Sequence, residues 1–296
     1  MRSCKRPFAR ESTTNMRDLT ASPQERVKEF IFTAKDFERV RAMIRDCAGI
    51  ALAEGKQEMV YSRLARRLRA TGLASFTDYL DQLERNALQG EWQAFTNALT
   101  TNLTSFFREP HHFPILAEHA RKHANLSVWC SASSTGEEPY SIAMTLCEAY
   151  GTLTPPVTIT ATDIDTDVLQ TAALGIYPAE RVRSLSSEQL RKYFQKGKGS
   201  QDGLVRARPE LRKLIDFRQL NLLGQDWSLK PPFDIIFCRN VMIYFDKPTQ
   251  RQILSRFVTL MKPDALLFAG HSENFLYVSD ALKLRGKTVY ELLGRR

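Results

Sequence analysis

Residues 126–141 read LSVWCSASSTGEEPYS, and this stretch decides the fold class. It begins with an apolar run of strand type, and from Glu137 onward the apolar residues recur at helical spacing. A turn of small residues with a single glycine, Gly136, separates the two segments. A strand, a tight turn and a helix in this order present a helix N-terminus to a ligand in α/β proteins. The sequence therefore predicts a ligand site at this turn.

The first turn of the predicted helix carries two carboxylates, Glu137 and Glu138, which would repel a phosphate. Asp163 stands at the end of the next predicted strand, where an acid of a doubly wound fold typically binds ribose hydroxyls. S-adenosylmethionine fits both features, because it is a nucleoside without phosphate whose amino group can donate to Glu138. The alternative is that the glutamates only complement the helix dipole, and we favour it for Glu137.

The pattern of the chain changes near residue 125. Before it, from residue 30 onward, the apolar spacing predicts a small all-α domain ending in a linking helix over EWQAFTNALTTNLTSFF. After it, strand-length apolar runs alternate with helical segments, which predicts a doubly wound, Rossmann-like parallel sheet covered on both faces. The last run, LKLRGKTVYELL, predicts an antiparallel hairpin. The glycine-rich stretch KGKGSQDGLV follows a helix rather than a strand, so it lacks the context of a dinucleotide site.

The composition limits the partners and the compartment. A net charge of +9 suggests a negatively charged partner, which could be nucleic acid, lipid headgroups or an acidic protein surface. The apolar runs are far shorter than a membrane span, so we expect no membrane insertion. Five cysteines without C-x-x-C spacing indicate a reducing cytosol and argue against a disulfide framework or a zinc site. His119 and His123 are spaced like metal ligands but lack a third ligand, so we expect no metal.

Several blocks of the sequence resemble, in order, the CheR-type chemotaxis receptor methyltransferases, which methylate glutamates on methyl-accepting chemotaxis proteins. The matching segments are NALTTNLTSFFRE (97–109), STGEEPYSIA (134–143), ATDID (161–165), NLL (221–223), IFCRNVMIYF (236–245) and LFAGHSENF (267–275). The resemblance implies a small all-α N-terminal domain followed by a class I S-adenosylmethionine-dependent methyltransferase domain with an inserted small antiparallel β subdomain.

The resemblance also implies a division of the chain into parts with separate tasks. Residues 1–29 lie outside the resemblance; their basic, Ser/Thr-rich composition without an apolar h-region predicts a disordered tail, with a transit peptide as the alternative. The resemblance implies that residues 30–100 form a helical domain, which we expect to dock the receptor. Residues 101–296 would form the methyltransferase domain, and residues 186–216 within it the β subdomain that binds a receptor tether.

The resemblance implies a set of cofactor contacts in the linking segment and at the strand ends. These residues are Asn102, Thr104, Arg108, Glu138, Asp163, Asn221, Leu222, Arg239 and Asn240. On the acceptor side we predict catalytic roles for Arg108 and Tyr244, although Tyr244 could equally be a strand-end core aromatic. An acceptor glutamate, with a pKa near ~4.3, is already ionised at neutral pH, so the reaction to glutamyl methyl ester and S-adenosylhomocysteine needs no general base.

A basic helix is the predicted docking surface for the receptor. Arg63, Arg66 and Arg67 fall on one helical face, and Arg69 flanks it. Such a run is usually only a solvated face, but an acidic receptor helix would give it a docking purpose. The resemblance further implies that a C-terminal receptor pentapeptide tethers the enzyme by adding a strand to the β subdomain. We expect a cytoplasmic monomer that is recruited to membrane receptor arrays.

Two other functions share the cofactor fold. A nucleic-acid methyltransferase would suit the basic charge, but the chain lacks an [N/D]PP[Y/F] motif after the fourth strand and aromatic residues interleaved with the basic face. A non-catalytic S-adenosylmethionine-binding adaptor is disfavoured by the intact set of ligand-like residues. The first rival predicts alkali-stable methyl groups on the product, and the second predicts binding without turnover.

Overall fold

The computed structural model of the protein describes residues 28–294. Residues 1–27, which make up nearly all of the predicted disordered tail, lie outside the described residues. Within the described part, no helix is both long and apolar enough to cross a membrane.

The N-terminal domain consists of four main helices around an apolar core. Its helices are α1 (Ala34–Ala48), α2 (Gln57–Thr71), α3 (Phe76–Glu84) and α4 (Glu91–Leu99). A capping box begins α1, because the Thr33 side chain accepts from the backbone N–H of Asp36 and the Asp36 carboxylate accepts from that of Thr33. The apolar positions at helical spacing, such as Val40, Leu64 and Leu68, are fully buried in one cluster.

The predicted linking helix is wrong at its C-terminal end. Helix α4 ends at Leu99, and Thr100 takes an extended conformation with φ −64° and ψ 153°. The Thr100 hydroxyl donates to the Asp165 carboxylate over 2.6 Å, and the Asn102 amide donates to the same carboxylate over 2.8 Å. These contacts hold the segment after α4 against the second domain, and spacing within the segment does not reveal them.

The second domain is built on a seven-stranded sheet. Its strands are β1 (Leu126–Cys130), β2 (Val157–Asp163), β6 (Ile215–Gln219), β7 (Phe233–Cys238), β8 (Met261–Ala269), β9 (Leu282–Gly286) and β10 (Val289–Leu292). Their spatial order is β6-β2-β1-β7-β8-β10-β9. The first five in spatial order pair in parallel, and β9 and β10 form an antiparallel hairpin at the end. The predicted doubly wound sheet with its hairpin is confirmed.

Helices cover both faces of this sheet. The apolar side chains of the central strands point alternately to the two faces, so each face has its own apolar core. The helices are α5 (His112–Ala120), α6 (Glu137–Tyr150), α7 (Thr166–Leu174), α8 (Ser187–Tyr193), α9 (Pro209–Arg212) and α10 (Lys247–Leu260). On β1, Val128 and Cys130 pack with residues of α5 and α6, whereas Trp129 packs with residues of α10. Because β1 pairs in parallel with β2 and with β7, the C-terminal ends of these three strands lie at one edge of the sheet.

A separate three-stranded antiparallel sheet forms the inserted subdomain. Its strands are β3 (Ile176–Pro178), β4 (Phe194–Lys196) and β5 (Leu204–Ala207), in the order β3-β5-β4. The predicted bounds of 186–216 need correction at both ends. Strand β3 precedes them and is too short to show alternation, while Ile215 already pairs with Ile159 in the main sheet.

Candidate active site

A cavity of about 380 Å³ lies between the helical domain and the C-terminal edge of the main sheet. Its size is in the range of ligand pockets, and it lies where β1 has β2 on one side and β7 on the other, the place where α/β sheets bind ligands. All the predicted cofactor and catalytic residues line it: Asn102, Thr104, Arg108, Glu138, Asp163, Asn221, Leu222, Arg239, Asn240 and Tyr244. The fold therefore brings together residues that are far apart in the sequence.

The turn between β1 and α6 forms one wall of the cleft. Gly136 has a φ of 99°, and a Cβ there would lie 2.8 Å from the Tyr177 hydroxyl and 2.9 Å from the Cβ of Ala172. Only glycine combines this backbone conformation with so close an approach. The turn is thus held tightly against α7 and β3, with its inner side free to face a ligand.

Asp163 ends β2 and carries a carboxylate that is buried in the cleft wall. It accepts the backbone N–H of Ser134 over 2.8 Å and that of Asp165 over 3.1 Å. Burial raises the pKa of Asp163 to about 6, even though both hydrogen bonds favour the ionised form. The carboxylate connects the turn after β1 with the turn after β2, and it is available to hydroxyl donors in the cleft.

Glu138 and Arg239 form a buried ion pair across the cleft floor. Arg239 Nη1 lies 2.8 Å from Glu138 Oε2, and Arg239 Nη2 lies 3.5 Å from Glu109 Oε2 and donates to the Arg108 carbonyl over 2.5 Å. Burial raises the pKa of Glu138, and the charge of Arg239 opposes that rise. The Nε of Arg239 is also buried and has no hydrogen-bond partner among residues 28–294, so a donor remains for an anionic ligand group.

Glu109 was not predicted, although it stands in the quoted block 97–109. It has a φ of 55° and accepts from the backbone N–H of His271 over 3.2 Å and from the Asn240 amide over 3.3 Å. Burial opposes ionisation, but the hydrogen bond from the His271 side chain and the charge of Arg239 prevail and lower the pKa of Glu109 to about 2. Glu109 therefore supports the cleft floor as a permanent anion.

Glu137 does not face the cleft. Its fully buried carboxylate pairs with Arg181, which follows β3, and accepts from the Thr135 hydroxyl over 2.6 Å. The favoured interpretation of Glu137 as a helix-dipole residue omitted Arg181, which lies in the inserted subdomain and carries no sequence signal of this pairing. The turn after β1 is thus anchored to the small sheet.

The remaining predicted residues occupy the other walls. Tyr244 is half-buried in a short 3₁₀ helix, Met242–Tyr244, and lines the cavity instead of joining the core. The Asn221 amide donates to the Cys47 carbonyl over 2.7 Å, so it joins the second domain to the end of α1. Leu222 is buried beside it. Helical-domain residues that the sequence did not point to, such as Leu52 and Met59, close the cleft from above.

The four predicted docking arginines of α2 do not share one free surface. Arg63 lines the cleft and donates to the Thr100 carbonyl over 2.5 Å. Arg67 forms a two-pronged ion pair with Glu91, and Arg69 pairs with Glu29. Arg66 is exposed, and it has no ion-pair partner in the described part of the chain. The local charge run did not reveal these partners, because they lie on α4 and before α1.

The predicted pair of His119 and His123 does not form a metal-ligand group with a third residue among residues 28–294. The two rings stack, and His123 Nε2 lies 2.9 Å from Asp264 Oδ2. Within the described residues, one group does have the spacing of metal ligands: Glu109 with two histidines, His111 and His112. The guanidinium of Arg239, 3.5 Å from Glu109 Oε2, opposes a cation at this group.

The chain matches one protein family over both domains. Residues 35–100 match the family described as CheR methyltransferase, all-alpha domain, and residues 102–290 match CheR methyltransferase, SAM binding domain, where SAM is S-adenosylmethionine. The chain belongs to the CheR methyltransferase family. This confirms the predicted family, the all-α domain followed by a methyltransferase fold, and an S-adenosylmethionine-dependent methyltransferase as the kind of enzyme.

Curated relatives agree with this CheR-family assignment. The chain is 56% identical over 257 residues to the chemotaxis protein methyltransferase of Escherichia coli (strain K12), covering 86% of this chain and 90% of that protein. The corresponding protein of Klebsiella aerogenes is 58% identical over 257 residues, which cover 86% of this chain and 89% of that protein. Chemotaxis protein methyltransferase 2 of Pseudomonas aeruginosa is 52% identical over 275 residues, which cover 92% of this chain and 98% of that protein.

The raised pKa of Asp163 predicts how cofactor affinity changes with pH. Because the carboxylate is ionised only above about pH 6, we expect the affinity for S-adenosylhomocysteine to be constant above pH 7 and to weaken about tenfold by pH 5. Titration calorimetry measures this, with circular dichroism to verify folding at each pH. The Asp163→Asn control should bind more weakly at pH 8 and show a smaller pH dependence. A wild-type affinity that stays constant from pH 8 to pH 5 would contradict the expectation.

Proposed function

We propose that this chain transfers a methyl group to the γ-carboxylate of glutamate side chains on chemotaxis receptors, giving glutamyl methyl esters. The observation that carries the proposal is the single cleft in which buried carboxylates and exposed cationic groups meet. The family match and the names of the relatives support S-adenosylmethionine-dependent methylation in chemotaxis. The glutamate acceptor and the role of each residue are what we add.

The acidic side of the cleft suits the cofactor. S-adenosylmethionine supplies the methyl group, and S-adenosylhomocysteine is the product. Glu138 would accept from the amino group and Asp163 from the ribose hydroxyls, while the free Nε of Arg239 would donate to the carboxylate. Asn221 and Leu222 would flank the adenine. The other proposed cofactor contacts are Asn102, Thr104, Arg108 and Asn240.

The acceptor side of the cleft offers a cation and an aromatic ring. Arg108 Nη1 donates to the Leu103 carbonyl over 2.7 Å, and the guanidinium retains other donors for an acceptor carboxylate. Tyr244 would place its ring or hydroxyl beside the transferring methyl. The acceptor glutamate is already ionised, so no residue needs to act as a base. Positioning of two reactants and exclusion of water would supply the rate enhancement.

The receptor would be recognised away from the reacting atoms as well. We propose that the helical domain docks an acidic receptor helix through Arg66, which is exposed and has no ion-pair partner among residues 28–294. The small sheet would bind a C-terminal pentapeptide of the receptor as an additional strand, because β3 and β4 are its outer strands. A tether of this kind raises the local concentration of acceptor glutamates. The enzyme would act as a monomer in the cytoplasm, recruited to membrane receptor arrays.

The chemical nature of the product tests the proposal. After incubation of the enzyme with radiolabelled S-adenosylmethionine and receptor-containing membranes, mild alkali should release the label as volatile methanol, because carboxyl methyl esters hydrolyse in base. Membranes that lack receptors are the matched control and should take up no label. Label that survives alkali would contradict the ester and indicate nitrogen or nucleic-acid methylation. Cofactor binding without any label would indicate an adaptor.

Variants of two neighbouring arginines of α2 distinguish a role in receptor docking from a role in protein stability. Arg66→Ala should raise the KM for receptor about threefold to tenfold at low ionic strength, without changing thermal stability, because Arg66 is exposed. Arg67→Ala should lower the free energy of unfolding by about 2 kcal/mol, because it leaves the buried carboxylate of Glu91 unpaired. Steady-state kinetics and urea unfolding measure the two effects. An Arg66→Ala enzyme with unchanged KM would contradict the proposed docking role.

A further inference from the structure

The carboxylate of Glu273 is buried behind the cleft and is surrounded by backbone donors. It accepts the backbone N–H groups of Asn240 and Val241 over 2.9 Å each, that of Met242 over 2.8 Å and that of Gly270 over 2.5 Å. Only 5% of the residue is exposed, and its side chain does not line the cavity. One side chain therefore joins the loop after β7 to the loop after β8.

The loop after β7 has a backbone shape that needs an anion. Three consecutive N–H groups converge on one point when a left-handed residue precedes right-handed ones, which makes an anion-binding nest. Asn240 has a φ of 59°, and the 3₁₀ helix that starts at Met242 follows. Without Glu273, these three donors would lose their hydrogen-bond acceptor. The Glu273 carboxylate is thus the anion that this nest binds.

Glycine at position 270 allows the two loops to approach each other. A Cβ there would lie 2.5 Å from the Asn240 side-chain nitrogen, 2.9 Å from its backbone nitrogen and 2.8 Å from Glu273 Oε2. These separations are shorter than real Cβ contacts, so a larger residue must displace the loop after β7. The contact is therefore specific in both charge and shape.

The loop that Glu273 holds carries four residues of the cleft, Arg239, Asn240, Val241 and Tyr244. Arg239 donates to the carbonyl of Arg108 over 2.5 Å, and the far end of the loop is fixed by the Tyr244 carbonyl, which accepts from the backbone N–H of Ala51 over 3.0 Å. The position of the loop thus sets the separation of the two proposed acceptor-side residues.

We propose that Glu273 is a positioning residue for methyl transfer. Its carboxylate holds the loop 239–244 so that Tyr244 lies at a fixed place relative to Arg108. This inference rests on the proposed function, because it assigns Arg108 and Tyr244 to the acceptor side. Glu273 acts through the backbone of the loop and not on the reacting atoms. Its removal should therefore affect the rate of the bound complex more than the affinity for either reactant.

The test replaces the anion with a neutral isostere. In Glu273→Gln the amide can accept with only one atom and turns an N–H toward the nest, so we expect kcat to fall about 30-fold to 100-fold, since small misplacements of reacting groups have effects of this size. The KM for receptor and the Kd for S-adenosylhomocysteine should change less than about threefold, because Glu138 and Asp163 lie outside the loop and Arg239 stays paired with Glu138. Glu273→Asp keeps the charge and should recover part of kcat.

Asp234 provides a matched control at the other end of β7. Its carboxylate is also buried, accepts the backbone N–H of Ser127 over 2.8 Å and pairs with Lys262, far from the cleft. Asp234→Asn should lower Tm with kcat within about twofold of wild type, because only structural contacts are lost. If Glu273 were merely structural, its Gln variant would behave in the same way as this control.

The outcomes separate the inference from the function on which it rests. If wild type forms no base-labile methyl ester, the proposed function fails. If wild type is active and Glu273→Gln keeps its kcat, or loses kcat and S-adenosylhomocysteine affinity in equal measure, the positioning role alone is overturned. Should Glu273→Gln not fold, Gly270→Ala tests the same contact with the carboxylate retained, and we expect its kcat to fall at least about tenfold. An unchanged kcat in Gly270→Ala would overturn the role.

Discussion

The guanidinium of Arg239 lies between two carboxylates at the point where the strand order of the sheet reverses, and its side chain is only 1% exposed. It joins two other parts of the chain to the end of β7: the first turn of α6 through Glu138, and the loop before α5 through the Glu109 carboxylate and the Arg108 carbonyl. Removing one partner from a buried pair of this kind costs about 3–5 kcal/mol. The cleft therefore has a fixed charge arrangement before any ligand binds.

This arrangement gives the cleft two chemically different sides. Glu138 shares its charge with Arg239 yet stays at the cavity wall, and Asp163 adds a second carboxylate there. Toward the helical domain the lining is cationic and apolar, with Arg63, Arg108 and Met59. A positively charged methyl donor suits the first side, and a carboxylate acceptor suits the second. Because both domains line the cleft, neither domain alone would form it.

Asp165 is one of several residues of the second domain that contact the helical domain, together with Asn221 and Tyr244. Asp165 caps α7 by accepting the N–H groups of Asp167 and Val168, and it also accepts from the side chains of Thr100 and Asn102. The same carboxylate thus caps the N-terminus of α7 in the second domain and holds the segment that follows α4 of the helical domain. A shift of this contact would move the upper wall of the cleft relative to the sheet.

Local patterns in the sequence were sufficient to predict the sheet, the turn at Gly136 and the carboxylate at Asp163. Each of these features depends on residues that are close in the chain and on a known strand–turn–helix geometry. Glu138 also followed from this pattern, whereas the other cofactor residues came from the family resemblance, and the fold places all of them in one cleft. Contacts between distant segments were not predictable in this way. Three features depend on partners that are distant in the sequence: the ion pair of Arg67 with Glu91, the end of α4 at Leu99, and strand β3.

A crystal structure of the chain with S-adenosylhomocysteine would test most directly whether the cleft holds both reactants. We predict that the amino group lies within hydrogen-bond distance of Glu138 and the ribose hydroxyls within that of Asp163, with the sulfur facing Tyr244 and Arg108. Product bound outside this cleft, or bound within it with its sulfur turned away from Arg108 and Tyr244, would contradict the account.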